Sequence, residues 1–213
     1  MAKAQAKPAY HHGDLRQALV DAALAIVAER QDARGVSLRE VARRVGVSQA
    51  APYRHFADKE ALLAAVAEEG FQRLLEDLQA NGLAAIADPL QRLRASGVAY
   101  VAFAIAHPAH YRVMFGAFQA DNPAYPTLNA VGREAFTVMV EAIVAGQSAG
   151  LVKAGDPRQL AWVTWSLVHG LAMLLIEHQL PITEQAEILS LAQLATATLV
   201  GGLQPSDPRL GQQ

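Results

Sequence analysis

From Gly13 to Arg30 the apolar residues Leu15, Ala18, Leu19, Ala22, Ala23, Ile26 and Val27 recur at three- and four-residue spacing. Such a stripe fits one face of a helix. The same periodicity returns in segment after segment, so the chain reads as all-α, with about nine helices. The first of them stops near "QDARG", where Gly35 offers a permissive turn.

The next segment, "SLRE" at Ser37 to Glu40, has the pattern of a capping box. The Ser37 hydroxyl can accept from the third amide of a new helix while Glu40 reaches back. A short helix is therefore expected from Leu38 to about Val45, ended by Gly46, with Ser48 able to cap another two residues later. Two short helices joined by a Gly-containing turn form a helix-turn-helix.

The second of these helices covers "SQAAPYRHF". At about 100° per residue, Pro52 and Phe56 share one arc and point inward beside Val47. Ala50 and Arg54 point the opposite way, flanked by Gln49, Ala51 and Tyr53. An arginine fork can pair with guanine, a tyrosine can touch a thymine methyl or a phosphate, and alanines allow close approach to a major groove. His55 and Lys59 at the exit would face phosphates, and Asp58 caps the helix that follows. The common alternative for such a helix, an ordinary solvated face, is outweighed by this context.

Charge supports the same end of the chain. The net charge of −2 conceals a split: residues 1 to 60 carry 10 Lys and Arg against 7 Asp and Glu, and the remainder carries 8 against 13. A basic end on an acidic body suits a polyanionic partner. With 52% hydrophobic and 18% charged residues the chain is not a disordered one, and its 213 residues can bury a real core. The absence of cysteine excludes disulfides, Cys-based zinc sites and thiol nucleophiles. The first residues lack the apolar core of a secretory signal, so a cytoplasmic location is expected.

The segment from Tyr10 to about Val66, above all "VSLREVARRVGVSQAAPYRHFADKEALL", resembles the DNA-binding domain of the TetR/AcrR family of transcriptional regulators. The resemblance implies a two-fold dimer whose third helix enters the major groove of a palindromic operator in double-stranded DNA. The corresponding contact positions are Arg39, Ser48, Gln49, Ala50, Ala51, Tyr53, Arg54, His55 and Lys59. Two positions depart from the family pattern. Position 51, often a hydroxyl residue, is alanine, and position 52, usually aliphatic, is proline. Both leave more of the base reading to Arg39, Gln49 and Arg54.

Beyond Lys59 a larger helical body is expected. One long helix places Leu62, Leu63, Val66, Phe71, Leu74, Leu75 and Leu78 inward and ends at Asn81-Gly82. Further helices are expected over Pro89–His107, Pro108–Phe118, Pro126–Ala149, Pro157–Gln179 and Thr183–Val200, four of them opened by proline, whose missing amide costs least there. The domains are then 1–60, which binds DNA, 61–202, which binds an effector and dimerises, and a flexible tail over 203–213. The loop "QADNPAYPT" is the other expected mobile piece. "WSLVHGLAMLL" and "HPAHYRVMFG" are similar to the WHG-type C-terminal domain of some family members, over roughly Leu90 to Gly201.

Three features invite other functions. Gln159 to Ile176 holds eighteen residues without formal charge, at the lower limit for a membrane span, but Gln159, Thr164, Ser166 and His169 interrupt it. A buried interface helix is expected instead, pairing with the apolar last helix as half of a dimeric four-helix bundle, with no membrane partner. "GQSAG" at Gly146 to Gly150 matches a nucleophile elbow, followed by Asp156 and His169 in hydrolase order. An elbow needs a strand before its serine, and here a helix precedes Ser148. A membrane-associated helical protein and an all-α hydrolase using Ser148 are thus the alternatives, and no enzyme is expected. The pairs His11-His12 and His107-His110 lack zinc-site spacing, so no metal and no cofactor are expected.

The body also holds a surplus of aromatic and polar-tipped side chains: Tyr100, Phe103, His107, Tyr111, Met114, Phe115, Phe118, Trp162, Trp165, His169 and Met173. They are candidates for an effector pocket, although core packing explains any one of them singly. With no arginine cluster among them, the small-molecule effector is expected to be largely apolar and weakly charged. A ligand-responsive transcriptional repressor, released from DNA when the effector binds, is the function the family resemblance implies.

Overall fold

A computed structural model describes residues 12–80, 82–116 and 122–205, with side chains from Leu15 onward. Eight α-helices follow one another, and no strand occurs among the described residues. They are α1 (His12–Arg30), α2 (Leu38–Val45), α3 (Lys59–Ala80), α4 (Pro89–Ala106), α5 (Pro108–Gly116), α6 (Pro126–Ser148), α7 (Pro157–Ile176) and α8 (Gln185–Leu203). The four helix-opening prolines lie at the first position of α4 to α7, as expected. Asp88 and Asp156 cap two of these helices, accepting from the amides of Leu90 at 2.9 Å and Arg158 at 2.8 Å. Phe118, the expected end of α5, and most of the tail lie outside the described residues.

The ninth expected helix is different in kind. Pro52–Arg54 forms a single 3-10 turn, reached through a bond from the Ala51 amide to the Ser48 carbonyl at 3.0 Å. Arg54 and His55 donate in turn to Ala51 and Pro52 at 3.2 and 2.9 Å. Pro52 has no amide to offer Ser48, so three-residue bonds replace the α-helical ladder through most of the segment.

The residues gather into two compact units. One, here the head, runs to Glu69 and includes Ala109–Tyr125; the other, the body, holds Gly70–Pro108 and the chain from Pro126 onward. Helix α3 contributes to both, whereas the sequence suggested a division at residue 60. The head core is built from Leu19, Val20, Ile26 and Val27 of α1, Val41 of α2, Phe56, Leu62 and Val66. Tyr111 and Val113 of α5 are fully buried in the same unit.

In the body, α4 packs against α6, α7 and α8. Gly97 makes that crossing possible: a β-carbon there would meet the Thr196 methyl at 2.6 Å and Val168 at 3.2 Å. A second cluster, including Leu93, Ile143, Val152, Ala161 and Val200, fills the space beside Phe136 and Trp165.

Candidate nucleic-acid interface

The turn before the expected recognition segment is fixed by local chemistry. Ser37 caps α2, accepting from the Glu40 amide at 3.3 Å. Glu40 does not complete the capping box. Its carboxylate takes the Arg30 guanidinium at 2.5 Å, and Arg30 also donates to the Gly35 carbonyl at 2.6 Å. The reciprocal half of the box loses to a charge-assisted partner ten residues upstream. At the other end Gly46 adopts φ 80°, and its amide bonds the Ala42 and Arg43 carbonyls at 3.0 and 3.3 Å.

Pro52 and Phe56 are buried, as the wheel predicted, and Val47 is half-buried. The Arg16 guanidinium of α1 lies 5.3 Å from the Phe56 ring centre, covering its outer side. Ser48, Gln49, Ala50, Tyr53 and Arg54 are exposed, with Tyr53 at 55%, and Ala51 and His55 are half-buried. Arg39 is exposed on α2. Asp58 caps α3 by accepting from the Ala61 amide at 2.8 Å. Lys59 donates to the Arg34 carbonyl at 3.2 Å, which occupies one of its three donors and ties α3 to the loop before α2.

Two features of the head were not expected from the sequence. Arg44 binds Glu29 of α1 in a bidentate pair, with one arm at 2.7 Å, and this hydrogen bonding holds the Glu29 carboxyl below its ordinary range. Tyr125 hydrogen-bonds Glu60 near the start of α3; burial, then the Asp58 and Glu60 carboxylates, push its phenol up. Neither pairing has a sequence signal, because the partners lie 15 and 65 positions apart.

The expected effector residues do not form one group. Tyr111, Met114 and Phe115 belong to the head, while Tyr100, Phe103, His107, Trp162, Trp165, His169 and Met173 belong to the body. Trp162 is 51% exposed on α7. The others include a hydrogen-bonded core: Trp165 donates to the Tyr100 hydroxyl at 3.0 Å, which lies 3.0 Å from His169 Nδ1. Rings of Trp165 and His169 are 5.1 Å apart, Phe136 meets Trp165 edge-on, and Phe103 lies beside His107. Burial lowers the His169 pKa, favouring the neutral ring. The cleft of about 360 Å³ in the body lies elsewhere, between Gln72, Leu75 and Glu76 of α3 and Ala130, Val131 and Glu134 of α6.

Ser148 ends α6 with its hydroxyl bonded to the Val144 carbonyl at 2.9 Å, so a helix and not a strand precedes it. Among the described residues no three metal-ligating side chains come together. Both α7 and α8 are long and apolar enough to cross a membrane by length and composition. In the protein they pack on α4 and on each other, leaving Trp162, Val163, Leu167, Leu174 and Leu194 exposed.

A capped two-helix turn that presents exposed arginine and tyrosine from a small helical head, followed by a helical body, defines a helix-turn-helix DNA-binding regulator. Residues 19–66 match the family model for bacterial regulatory proteins of the tetR family, and residues 93–199 match the tetracyclin repressor-like C-terminal domain. The chain belongs to the TetR family of transcriptional regulators. A protein of unknown function from Rhodococcus sp. RHA1 is 34% identical, with TM-score 0.76 over 93% of this chain and 100% of that one. A tetR-family regulatory protein from Rhodococcus RHA1 is 24% identical, with TM-score 0.72 over 90% and 98%. AibR, solved with isovaleryl coenzyme A and operator DNA, is 20% identical, with TM-score 0.65 over 90% and 99%. None of the curated proteins compared with the chain matches it.

Proposed function

We propose that this regulator is a dimeric repressor that holds a palindromic operator through two copies of its head and lets go when a small molecule enters the body. The observation that carries this is the recognition turn: Gln49, Tyr53 and Arg54 stand exposed on a segment anchored from beneath by buried Pro52 and Phe56. Arg39, Gln49 and Arg54 read base edges; Ala50 and Ala51 allow close approach; Ser48, Tyr53, His55 and the remaining donors of Lys59 hold phosphates. Dimerisation uses the outward apolar faces of α7 and α8, which form a four-helix bundle with a second copy.

The effector acts on the body, where the Tyr100, Trp165 and His169 cluster offers polar groups inside an apolar surround. Its class is small and largely apolar. AibR, a protein of the same fold, was solved with an acyl coenzyme A and operator DNA together. The protein works in the cytoplasm and has no catalytic role. A gel shift against DNA upstream of its own gene, with footprinting, tests the proposal; protection without dyad symmetry, or no shift at all, defeats it.

A further inference from the structure

The head carries five arginines between the end of α1 and the end of α2: Arg30, Arg34, Arg39, Arg43 and Arg44. They are not equivalent. Arg30 is held by Glu40 and the Gly35 carbonyl, and Arg44 by both oxygens of Glu29. Those two guanidiniums are paired with carboxylates at the protein surface and tie α1 to α2 and to the loop between them. Arg39 and Arg43 are exposed and make no ion pair among the described residues. Four positions apart on one helix, they are neighbours on the same stripe, with β-carbons about 5–6 Å from each other.

Helix α2 is the first helix of the helix-turn-helix, which in such a motif crosses the DNA backbone. We infer that Arg43 is a phosphate contact one turn along α2 from the base-reading Arg39, the two forming a cationic track, while Arg44 next to it in sequence is a positioning residue for α1 and never touches DNA. This rests on the proposed DNA-binding function and adds to it a contact that the recognition turn does not supply. Ion pairing decides the division. Leu38, Val41 and Ala42 turn one side of α2 into the core, Arg44 is held by Glu29 of α1, and the Arg39–Arg43 stripe keeps its two guanidiniums for an outside partner.

The track is tested by salt dependence of binding to a mixed-sequence duplex, which needs no knowledge of the operator. Wild type, R43Q, the double variant E29Q/R44Q and R158Q are compared. R158Q removes the same net charge from the start of α7, in the body. Each phosphate contact contributes about 0.9 to the slope of log affinity against log salt. Between about 50 and 200 mM salt, R43Q should therefore lose about 3.5-fold less affinity than wild type. R158Q and E29Q/R44Q should keep the wild-type slope, the latter with a lowered melting temperature. A wild-type slope in R43Q, or the same flattening in R158Q, overturns the track. If the wild type itself binds no duplex, the DNA-binding proposal falls instead, so the two failures are distinguishable.

Discussion

Trp165 gives its indole N–H to the hydroxyl of Tyr100 at 3.0 Å, joining α7 to α4 in the interior of the body. The same hydroxyl meets His169 Nδ1, so one phenol serves two partners. Replacing Tyr100 by phenylalanine deprives both of that partner in a half-buried site. The body should lose about 1–3 kcal/mol of stability, with altered tryptophan fluorescence, as measured by urea denaturation. An unchanged midpoint would mean that the cluster contributes nothing to the fold.

His169 also sets a pH dependence. Burial lowers its folded pKa below the ordinary value near 6.5, so the unfolded chain takes up the proton first as pH falls. The stability that depends on neutral His169 is complete above about pH 6.5 and is lost as pH falls toward the folded pKa. Melting temperatures from pH 7.5 down to 5 should decline in the wild type and decline less in His169→Asn. Parallel curves would remove His169 as a source of the effect.

Arg54→Ala should cost about 1–3 kcal/mol of operator binding and relax base preference, whereas Lys59→Ala should weaken all sequences alike. Competition binding against a library of duplexes reads both. Retention of affinity and sequence preference by Arg54→Ala would show that the exposed face of the recognition turn is not the docking face.

Gly46 turns the chain between α2 and the recognition segment at φ 80°. Open space surrounds the position where a β-carbon would stand, so the cost of Gly46→Ala is conformational and not steric. It should be about 1–2 kcal/mol, seen as a lower unfolding midpoint. A neutral substitution would imply that the turn relaxes out of the left-handed region.

Ser148→Ala should leave every function unchanged. The hydroxyl is bonded to its own helix at Val144 and is preceded by helical backbone, with none of the strand that an elbow requires. An esterase assay on the pure protein, positive in wild type and silent in the variant, would reverse this.

Most of the fold was legible because its signals are local. Ser37, Gly46 and the four helix-opening prolines each act within a few residues of themselves, and each marks a boundary the structure keeps. What escaped was decided at long range. Glu40 was read as half of a capping box, but Arg30 takes its carboxylate, a choice only the folded head reveals. Pro52 was legible as an inward residue and a departure from the family pattern, but not as the reason the helix shrinks to one 3-10 turn. Trp162 and Trp165 are equally apolar and three residues apart, yet one is 51% exposed and the other hydrogen-bonded to Tyr100. Side-chain type suggested a pocket for both; the packing partner of each face of α7 separates them.

Leu194 and Val163 are 63% and 59% exposed on α8 and α7, where only a second copy of the chain is proposed to cover them. Leu194→Glu should remove about 1.5–3 kcal/mol per copy, counted twice by symmetry, and yield monomers in sedimentation. The outward face also ties gene regulation to protein supply. While most copies are single, doubling the number of chains quadruples the number of pairs, and a pair is the form that spans a two-fold operator. Occupancy of the operator then rises more steeply than expression does. For the proposed dimer, a modest change in synthesis or dilution at cell division would move the operator between bound and free, before any effector is involved.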